Sequence, residues 1–417
     1  MADVCDFLVV GCGVVGLTLA LEIKRAFGGR VCVIDKEENA GAHASGRNSG
    51  VLHAGIYYNP GTLKARLCVE GNRLLREYCR EKGIPAVHGK VIVARNEREL
   101  PLLLELEQRG RANGAQVRLV DETELAEIEP HARTVGRALY SPDTAVVDPK
   151  EVLESLLADA RALGVETKFG VRLLGLEDGE AVTSAGRIGF GFLVNAAGAH
   201  ADRIAHMQGV GLEYTMVPYK GVYLRLRDEA AHMVRANIYP VPDIRFPFLG
   251  VHFTRTPHGT VKVGPTAVPA LGRESYAGWN GTGLAELGEV LWCNLKKLVS
   301  DRNYVLLAAR EIGKYIPYLM YREARQMLPG LRYAHVDRYP LVGIRAQLYD
   351  RTRNELVMDF VIRAGKNAVH ILNAVSPAFT CSLAFARYVV GLLSNSPATP
   401  RPLGILEIRN TSARYTL

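Results

Sequence analysis

The sequence predicts an α/β protein: a parallel sheet built from both ends of the chain, with an inserted domain of antiparallel sheet plus helices. Three observations predict it. The chain opens with an apolar strand and a glycine turn, α/β patterns recur near its end, and short alternating runs lie between them. Strands that alternate with helices favour a parallel sheet, whereas short alternating runs favour antiparallel pairing. We therefore expect two domains, with a functional site where they meet.

The first element is the most informative. The apolar run 6–10 leads into a turn that contains Gly11, Gly13 and Gly16, and Asp35 follows nineteen residues later. In this G-x-G-x-x-G pattern the first glycine permits the tight turn, the second lets a pyrophosphate approach the backbone, and the third lets helix and strand pack closely. The helix N-terminus offers free N–H groups to phosphates, and the acid can bind a ribose hydroxyl. The pattern predicts a Rossmann-like dinucleotide-binding domain.

The remaining elements follow from periodicity and capping signals. Asp148-Pro149 is an N-cap followed by a first-turn proline, Ser376-Pro377 opens the last helix in the same way, and the apolar run 192–198 is typical of a buried parallel strand that ends beside a ligand. We predict helices over 14–27, 61–82, 97–113, 149–163, within 281–328 and from 376 to about 393. We predict strands over 30–35, 91–94, 192–198, 221–226, 251–254, 261–263 and 369–372.

These elements divide the chain into two domains and a tail. We expect a discontinuous nucleotide-binding domain from residues 1–85, 145–213 and 335–400. The inserted substrate-binding domain would comprise residues 86–144 and 214–334. The proline-containing segment 401–417 is predicted to be an irregular tail.

Composition restricts the class of partner. The net charge of +8 over 417 residues is modest, which favours anionic small molecules over nucleic acid. The seven cysteines are scattered and form no C-x-x-C pair, so we expect reduced cysteines, no metal site and a cytoplasmic protein. Asp3 and Asp6 precede the first strand in place of a basic region, so we expect no targeting segment.

The segment 43–58, His-Ala-Ser-Gly-Arg-Asn-Ser-Gly-Val-Leu-His-Ala-Gly-Ile-Tyr-Tyr, is the most specific motif. It resembles the flavin-contacting loop of the FAD-dependent D-amino-acid-oxidase superfamily and, more narrowly, the L-2-hydroxyglutarate dehydrogenase/oxidase family. Segments 239–242, 246–254, 264–265 and 343–347 agree with that family in the same order. The resemblance implies bound FAD and oxidation of L-2-hydroxyglutarate, or a close 2-hydroxy acid, to 2-oxoglutarate by hydride transfer to flavin N5.

The resemblance also implies which residues contact FAD. The helix after Ser376-Pro377 would direct its N-terminus at the N1/O2 edge of the flavin, where reduction leaves negative charge. The other expected contacts are in the glycine turn, the 45–50 loop and the ends of neighbouring strands. The full expected set is Gly11, Gly13, Gly16, Asp35, Lys36, Ser45, Arg47, Asn48, Ser49, Gly50, Val171, Ala197, Gly198, Gly343, Ser376, Pro377, Ala378, Phe379 and Thr380.

Oxidation of a 2-hydroxy acid requires a proton acceptor and carboxylate anchors. The resemblance places His53 as the base and Arg345 as the substrate-binding arginine, whose guanidinium suits a carboxylate. The second carboxylate of the dicarboxylate would bind within the insert's sheet, where the candidates are Lys220, Tyr223, Tyr239, His252 and Thr254. His43 in the same loop is a candidate for a covalent bond to the flavin.

The sequence departs from the family near the expected pocket. Ala378 and Phe379 replace a Gly-Ala pair at the start of the last helix, Val222 replaces a glutamate, and Thr266 replaces an asparagine. These changes leave three alternatives open. They are an FAD-dependent amino-acid or amine oxidase, a non-catalytic flavin-binding protein docked on a membrane, and a nicotinamide-dependent dehydrogenase.

The segment 281–328 mixes aromatic with basic residues. Its aromatic residues are Trp292, Tyr304, Tyr315, Tyr318 and Tyr321, and its basic residues are Lys296, Lys297, Arg302, Arg310, Lys314, Arg322 and Arg325. Such a mixture suits peripheral contact with an anionic inner-membrane face, where a quinone could accept the electrons. A solvated helical face is the alternative, and dioxygen or a soluble carrier would then be the acceptor.

Overall fold

The computed structural model describes residues 3–243, 249–278 and 282–394. The predicted tail 401–417 and the Phe246-Pro247-Phe248 part of the family motif lie outside these residues. The helices are α1 (Val14–Phe27), α2 (Leu63–Glu81), α3 (Leu100–Ala112), α4 (Glu122–Ile128), α5 (Pro149–Ala162), α6 (Ala201–His206), α7 (Leu284–Ser300), α8 (Arg302–Gly313), α9 (Pro317–Arg325) and α10 (Ala378–Ser394).

The strands are β1 (Asp3–Val10), β2 (Val31–Ile34), β3 (Val51–Leu52), β4 (Ala86–Val93), β5 (Arg118–Val120), β6 (Ala138–Val147), β7 (Glu166–Lys168), β8 (Leu173–Glu177), β9 (Glu180–Thr183), β10 (Gly186–Asn195), β11 (Tyr214–Leu226), β12 (Asn237–Pro240), β13 (His252–Arg255), β14 (Val261–Gly264), β15 (Val268–Pro269), β16 (Val336–Asp350), β17 (Glu355–Leu356), β18 (Val361–Gly365) and β19 (Ala368–Asn373). They form two sheets, and together with the helices they confirm the predicted α/β class.

The first sheet is largely parallel and has the order β18-β19-β10-β1-β2-β7, with the β8–β9 hairpin attached to β10. Val10, Ile34 and Asn195 end β1, β2 and β10 side by side. The turns that follow these strands therefore meet at one edge of the sheet, which is where ligands of such sheets bind.

Helices α1, α2, α5 and α10 cover one face of this sheet. Leu17 of α1, Leu67 of α2 and Phe385 of α10 belong to one continuous apolar core with the strands. The capping signal read from the sequence forms as expected in α5, where the Asp148 side chain accepts the Lys150 N–H and Pro149 occupies the first turn. The N-terminus of α10 lies against β3 and α2, because the Thr380 hydroxyl donates to the Val51 carbonyl at 3.2 Å and a Cβ on Gly71 would lie 2.4 Å from the Thr380 carbonyl oxygen.

The second sheet is mostly antiparallel and follows the order β17-β16-β11-β14-β13-β12-β4-β6-β3, with β15 on β11 and β5 on β6. Its long pair β11–β16 places Tyr219 opposite Arg345. The predicted domain boundaries remain a prediction, but three strands within the proposed nucleotide-binding segments, β3, β16 and β17, pair in this second sheet.

Within residues 3–243, 249–278 and 282–394, no helix combines the length and apolar character that crossing a membrane requires. All seven cysteines are buried free thiols.

Candidate active site

The turn between β1 and α1 is closely packed, as the glycine pattern predicts. Gly11 has a φ of +106°, and a Cβ there would lie 2.5 Å from the Ala196 carbonyl oxygen. A Cβ on Gly16 would lie 1.9 Å from the Gly11 carbonyl oxygen. A Cβ on Gly13 would lie 2.9 Å from Ser45 Oγ. Gly11 and Gly16 therefore require glycine because the backbone approaches too closely for any side chain, and a Cβ on Gly13 would displace the Ser45 hydroxyl.

Asp35 and Ser45 hold the same turn from outside. One carboxylate oxygen of Asp35 accepts the Cys12 N–H at 2.6 Å and the other accepts the Glu37 N–H at 2.9 Å. Ser45 Oγ accepts the Val14 N–H at 3.0 Å, at the first turn of α1. Each carboxylate oxygen retains a further lone pair for a ribose hydroxyl.

A cavity of about 2870 Å³ extends from this turn to the second sheet. Ligand pockets usually enclose about 300–1,000 Å³, so this cavity has room for a dinucleotide and a substrate together. Seventeen of the nineteen expected FAD contacts line it, and the exceptions are Gly16 and Gly50. The backbone of Gly50 packs closely against β6: its φ is +81°, and a Cβ there would lie 2.1 Å from the Val147 carbonyl oxygen.

The residues present fit FAD. The glycine turn and the Ser45 hydroxyl form a cradle at the N-terminus of α1, and the cavity continues from there to the start of α10, where residues 376–380 all line it. The helix begins at Ala378, after the predicted Ser376-Pro377 pair. Thr380 also has a second task, because its hydroxyl accepts the His53 N–H at 3.1 Å and donates to the Val51 carbonyl at 3.2 Å.

His53 lies on the cavity wall and is only partly exposed. Its Nδ1 atom is buried without a hydrogen-bond partner among the described residues. Burial, followed by the nearby charges of Lys90 and His252, lowers the pKa of His53 to about 3. The imidazole is therefore neutral at pH 7 and able to accept a proton.

Behind His53, the second sheet presents a group of rings and one buried amine. The rings of Tyr239 and His252 stack with centroids 3.8 Å apart. Lys90 Nζ lies 4.7 Å from the Tyr57 ring centroid and 5.1 Å from that of Tyr239, without a hydrogen-bond partner among the described residues. Sequence reasoning missed Lys90, although it stands in an apolar strand and alternates in phase with the buried Ile92.

Arg345 lies across the same cavity on β16. Its Nε atom donates to Gln347 Oε1 at 3.2 Å, and burial lowers the pKa of its guanidinium to about 10. It therefore stays charged at neutral pH. The two residues predicted to act on the substrate, His53 and Arg345, thus line the same cavity.

The expected residues for the second carboxylate are only partly on this wall. Tyr223, Tyr239 and His252 line the cavity, whereas Lys220 and Thr254 lie outside its lining. Lys220 lies between the cavity residues Tyr219 and Gly221 on β11, and the alternation of a strand sends its side chain to the opposite face. Thr254 lies two residues beyond the cavity residue His252 on β13, and neither Phe253 nor Arg255 lines the cavity. Sequence reasoning missed Lys64, a buried lysine on the wall, because its position in α2 looked like an ordinary helical surface site.

His43 has both ring nitrogens engaged. Its Nδ1 atom is 2.8 Å from the Tyr276 hydroxyl and its Nε2 atom is 2.9 Å from Glu37 Oε1. A covalent bond to the flavin would have to break one of these contacts. The geometry therefore favours a role for His43 in joining the loop to the inserted segment that carries Tyr276.

The same contact region contains Glu37, His43 and Glu274 within the reach of one metal ion. Lys36 already occupies this position, because its Nζ atom lies 2.5 Å from Glu37 and 2.7 Å from Glu274. The ammonium balances the carboxylates without a metal. We therefore interpret the cluster as an ionic link between the loop after β2 and the insert.

The helices α7, α8 and α9 differ from the sequence expectation in one respect. Tyr304, Tyr321 and Lys314 are buried, and Lys314 pairs with Glu311 at 2.5 Å. The exposed residues are instead mostly apolar. We call the following set the apolar patch: Leu284, Leu291, Trp292, Leu295, Val299, Leu306, Ile312 and Ile316, each more than half exposed.

Comparison with known proteins identifies the family of the chain. The family model for FAD-dependent oxidoreductases (DAO) matches residues 6–392. L-2-hydroxyglutarate dehydrogenase from Indibacter alkaliphilus is 37% identical over 386 residues, which cover 90% of this chain and 95% of that protein. The mitochondrial L-2-hydroxyglutarate dehydrogenase of Homo sapiens is 36% identical over 409 residues, with 91% and 87% covered.

Solved structures show the same fold at low sequence identity. L-α-glycerophosphate oxidase from Mycoplasma pneumoniae with FAD bound has a TM-score of 0.74 and 23% identity, with 94% of this chain and 95% of that chain covered. Glycine oxidase from Geobacillus kaustophilus has a TM-score of 0.70 and 17% identity, with 96% and 99% covered. The chain therefore belongs to the DAO family of FAD-dependent oxidoreductases, and its cofactor is FAD.

Proposed function

We propose that this enzyme oxidises L-2-hydroxyglutarate, or a close 2-hydroxy acid, to 2-oxoglutarate or the matching 2-oxo acid. The observation that carries the proposal is the convergence of a neutral histidine and a charged arginine, His53 and Arg345, on the cavity that begins at the dinucleotide-binding turn. The curated relatives with 36–38% identity are L-2-hydroxyglutarate dehydrogenases, and they support this substrate over an amine.

The chain's own residues supply binding and proton transfer. Arg345 binds the carboxylate next to the reacting carbon, and in doing so fixes the C2 hydroxyl in the cavity. His53 accepts the hydroxyl proton on a ring nitrogen as the carbonyl forms. FAD, when bound, supplies the acceptor for the C2 hydride. The other family-implied contacts, from Asp35 and Ser45 to the 376–380 segment, hold and orient that cofactor.

Two of the alternatives are wrong and one is disfavoured. The FAD-dependent family excludes a nicotinamide-dependent dehydrogenase, and an oxidoreductase family is evidence against a non-catalytic protein. The amine-oxidase alternative shares the fold of glycine oxidase, but that similarity is one of fold alone.

An anaerobic spectral titration tests the proposal directly. The purified holoenzyme is titrated with L-2-hydroxyglutarate, its D-enantiomer, L-glutamate and glycine, while the flavin absorption near 450 nm is followed. We expect bleaching by L-2-hydroxyglutarate and a stable band with the other three. Bleaching by glutamate or glycine, with none by the hydroxy acid, would assign the protein to the amine oxidases.

We also propose that the enzyme is a cytoplasmic protein that docks peripherally on the inner face of an anionic membrane and passes its electrons to a quinone there. The apolar patch supports this proposal. Its residues Leu284 and Val299 are 87% and 82% exposed, whereas a surface that meets only water rarely exposes a large apolar patch. Exposed Lys296 and Arg302 beside the patch suit anionic headgroups. Dioxygen and a soluble carrier are the competing acceptors.

A further inference from the structure

Lys64 is a buried cation on the cavity wall that the proposed reaction does not yet use. It lies in the first turn of α2, is 7% exposed and lines the cavity. Its Nζ atom donates to the Met358 carbonyl at 2.5 Å and lies 5.8 Å from the Tyr58 ring centroid and 5.9 Å from that of Phe360. Within the described residues, no carboxylate forms an ion pair with it.

This separates Lys64 from the other lysines on the wall. Lys36 bonds to two carboxylates, and Lys314 pairs with Glu311. Lys64 contacts a neutral carbonyl and two ring faces, and the Asp359 carboxylate acts on it electrostatically without forming an ion pair. A buried ammonium without an ion pair lowers the stability of a protein, and an anion bound directly to it would offset that cost.

Arg345 lies close enough to Lys64 to act on it electrostatically, and both residues line the cavity. Burial, and next the charge of Arg345, lower the pKa of Lys64 to about 8. Tyr58 is near both groups, since it lies under Lys64 and acts electrostatically on Arg345. Two positive charges, one from α2 and one from β16, therefore share one section of the wall despite their mutual repulsion. A ligand with two negative groups fits this arrangement better than a ligand with one.

We propose that Lys64 binds the second carboxylate of the substrate while Arg345 binds the carboxylate beside the reacting carbon. This inference rests on the proposed function and makes Lys64 the residue that selects a dicarboxylate over a monocarboxylate. It replaces Lys220 and Thr254 in that role, because both lie outside the cavity lining.

The test compares two substrates of equal chain length in the full-length holoenzyme. L-2-hydroxyglutarate has a terminal carboxylate, and L-2-hydroxypentanoate ends in a methyl group. Anaerobic stopped-flow reduction gives a second-order rate constant for each substrate with wild type, Lys64→Met and Lys64→Arg. Lys262→Met is the matched control, because Lys262 is also a buried lysine (6% exposed) but lies outside the cavity lining.

We expect Lys64→Met to lower the rate constant for L-2-hydroxyglutarate by about 10- to 100-fold, the effect of one lost charged hydrogen bond, and to leave that for L-2-hydroxypentanoate unchanged or higher. Lys64→Arg should recover part of the loss, and Lys262→Met should leave both constants unchanged. An equal loss for both substrates, or none, would overturn the inference. Should Lys64→Met fail to hold FAD, the same ratio measured for Lys64→Gln and Lys64→Arg decides.

The failure of the inference differs from the failure of the proposed function. A wild-type enzyme that is not reduced by L-2-hydroxyglutarate contradicts the proposed function itself. A wild-type enzyme that prefers L-2-hydroxyglutarate, together with a Lys64→Met enzyme that keeps the same preference, contradicts only the role of Lys64.

Discussion

His53 and Arg345 reach the same cavity in different electrostatic states. Burial lowers the pKa of both, but His53 starts near neutrality and becomes a neutral base, whereas Arg345 starts so high that it remains a cation. One environment thus produces a proton acceptor and an anion receptor from two basic side chains. The reaction requires this division, because the substrate brings negative charge and releases a proton.

This division predicts an unusual pH dependence. Because the pKa of His53 in the free enzyme is lowered to about 3, the base stays neutral as the pH falls through 6.5. We expect kcat/KM, which reports the free enzyme, to show no loss between pH 8 and about pH 5 from this group.

His53→Gln should retain bound FAD and reduce the rate constant for flavin reduction by about 10²–10⁴-fold at every pH. Wild-type reduction in that variant would remove His53 from the mechanism.

Lys90 offers a test of the cost of burying charge. Burial lowers the pKa of Lys90 to about 7, well below its value in an unfolded chain. Between about pH 7 and pH 10 the unfolded state therefore binds more protons, so this group makes the protein more stable as the pH rises. At or below pH 7 its full penalty is present, and the rings of Tyr57 and Tyr239 offset only part of it.

We therefore expect Lys90→Met to raise the free energy of unfolding by about 1–3 kcal/mol at pH 6.5 and by less at pH 9.5. Denaturant unfolding of both proteins at the two pH values measures the difference. Lys366→Met, on an exposed turn, is the control and should show no such trend. A Lys90→Met protein that is less stable at both pH values would show that the ring contacts outweigh the burial cost.

At the level of elements, the parts most accurately predicted are those with local signals. Helix α1 spans the predicted residues, and α5 begins at Pro149, the proline predicted for its first turn. The start of α10 is shifted from Ser376 to Ala378, but it faces the cavity as expected. Local propensity and glycine spacing suffice for such elements, because their causes lie within a few residues of each other.

The wall of the pocket could be predicted only in part, because it depends on contacts between distant segments. Lys64 and Lys314 look like surface lysines in the sequence, yet both are buried. Lys220 looked like a pocket residue and lies outside the lining. Neither outcome has a local cause: both follow from which face of α2, α8 or the second sheet meets the cavity.

The β1–α1 unit makes a prediction of its own. A Cβ on Gly16 would overlap the Gly11 carbonyl, so Gly16→Ala must push α1 away from the turn and deform the phosphate cradle. We expect purified Gly16→Ala to contain less than about a tenth of the wild-type FAD. A tenfold loss of affinity corresponds to about 1.4 kcal/mol of binding free energy. Gly391→Ala in α10 is the control, since nothing lies within 4 Å of a Cβ there. Full FAD occupancy in Gly16→Ala would contradict the packing argument.

At the scale of the whole molecule, the proposed substrate site and the proposed membrane surface are separate. The substrate site is in the cavity, whereas the apolar patch lies on the exposed side of α7 and α8 and just before α9, and none of its residues lines the cavity. Two cavity residues, Glu311 and Lys314, belong to α8 and to the link that follows it, so this layer borders both the cavity and the exterior. A membrane bound at the patch would bring a lipid-soluble acceptor next to the domain that encloses the flavin.

This arrangement predicts that membrane docking and substrate oxidation can be separated. A double variant, Trp292→Glu with Leu295→Glu, places two charges in the patch, where both side chains are more than half exposed and so make few internal contacts. We expect the wild type to float with phosphatidylglycerol vesicles and the variant to remain in solution. Quinone reduction in vesicles should fall by about tenfold or more, while anaerobic flavin reduction and turnover with a soluble dye stay unchanged.

Leu174→Glu, equally exposed on β8 of the first sheet, is the control and should float like the wild type. A wild type that does not bind these vesicles, and that turns over equally well with dioxygen, would favour a soluble acceptor and leave the patch without a role in electron transfer.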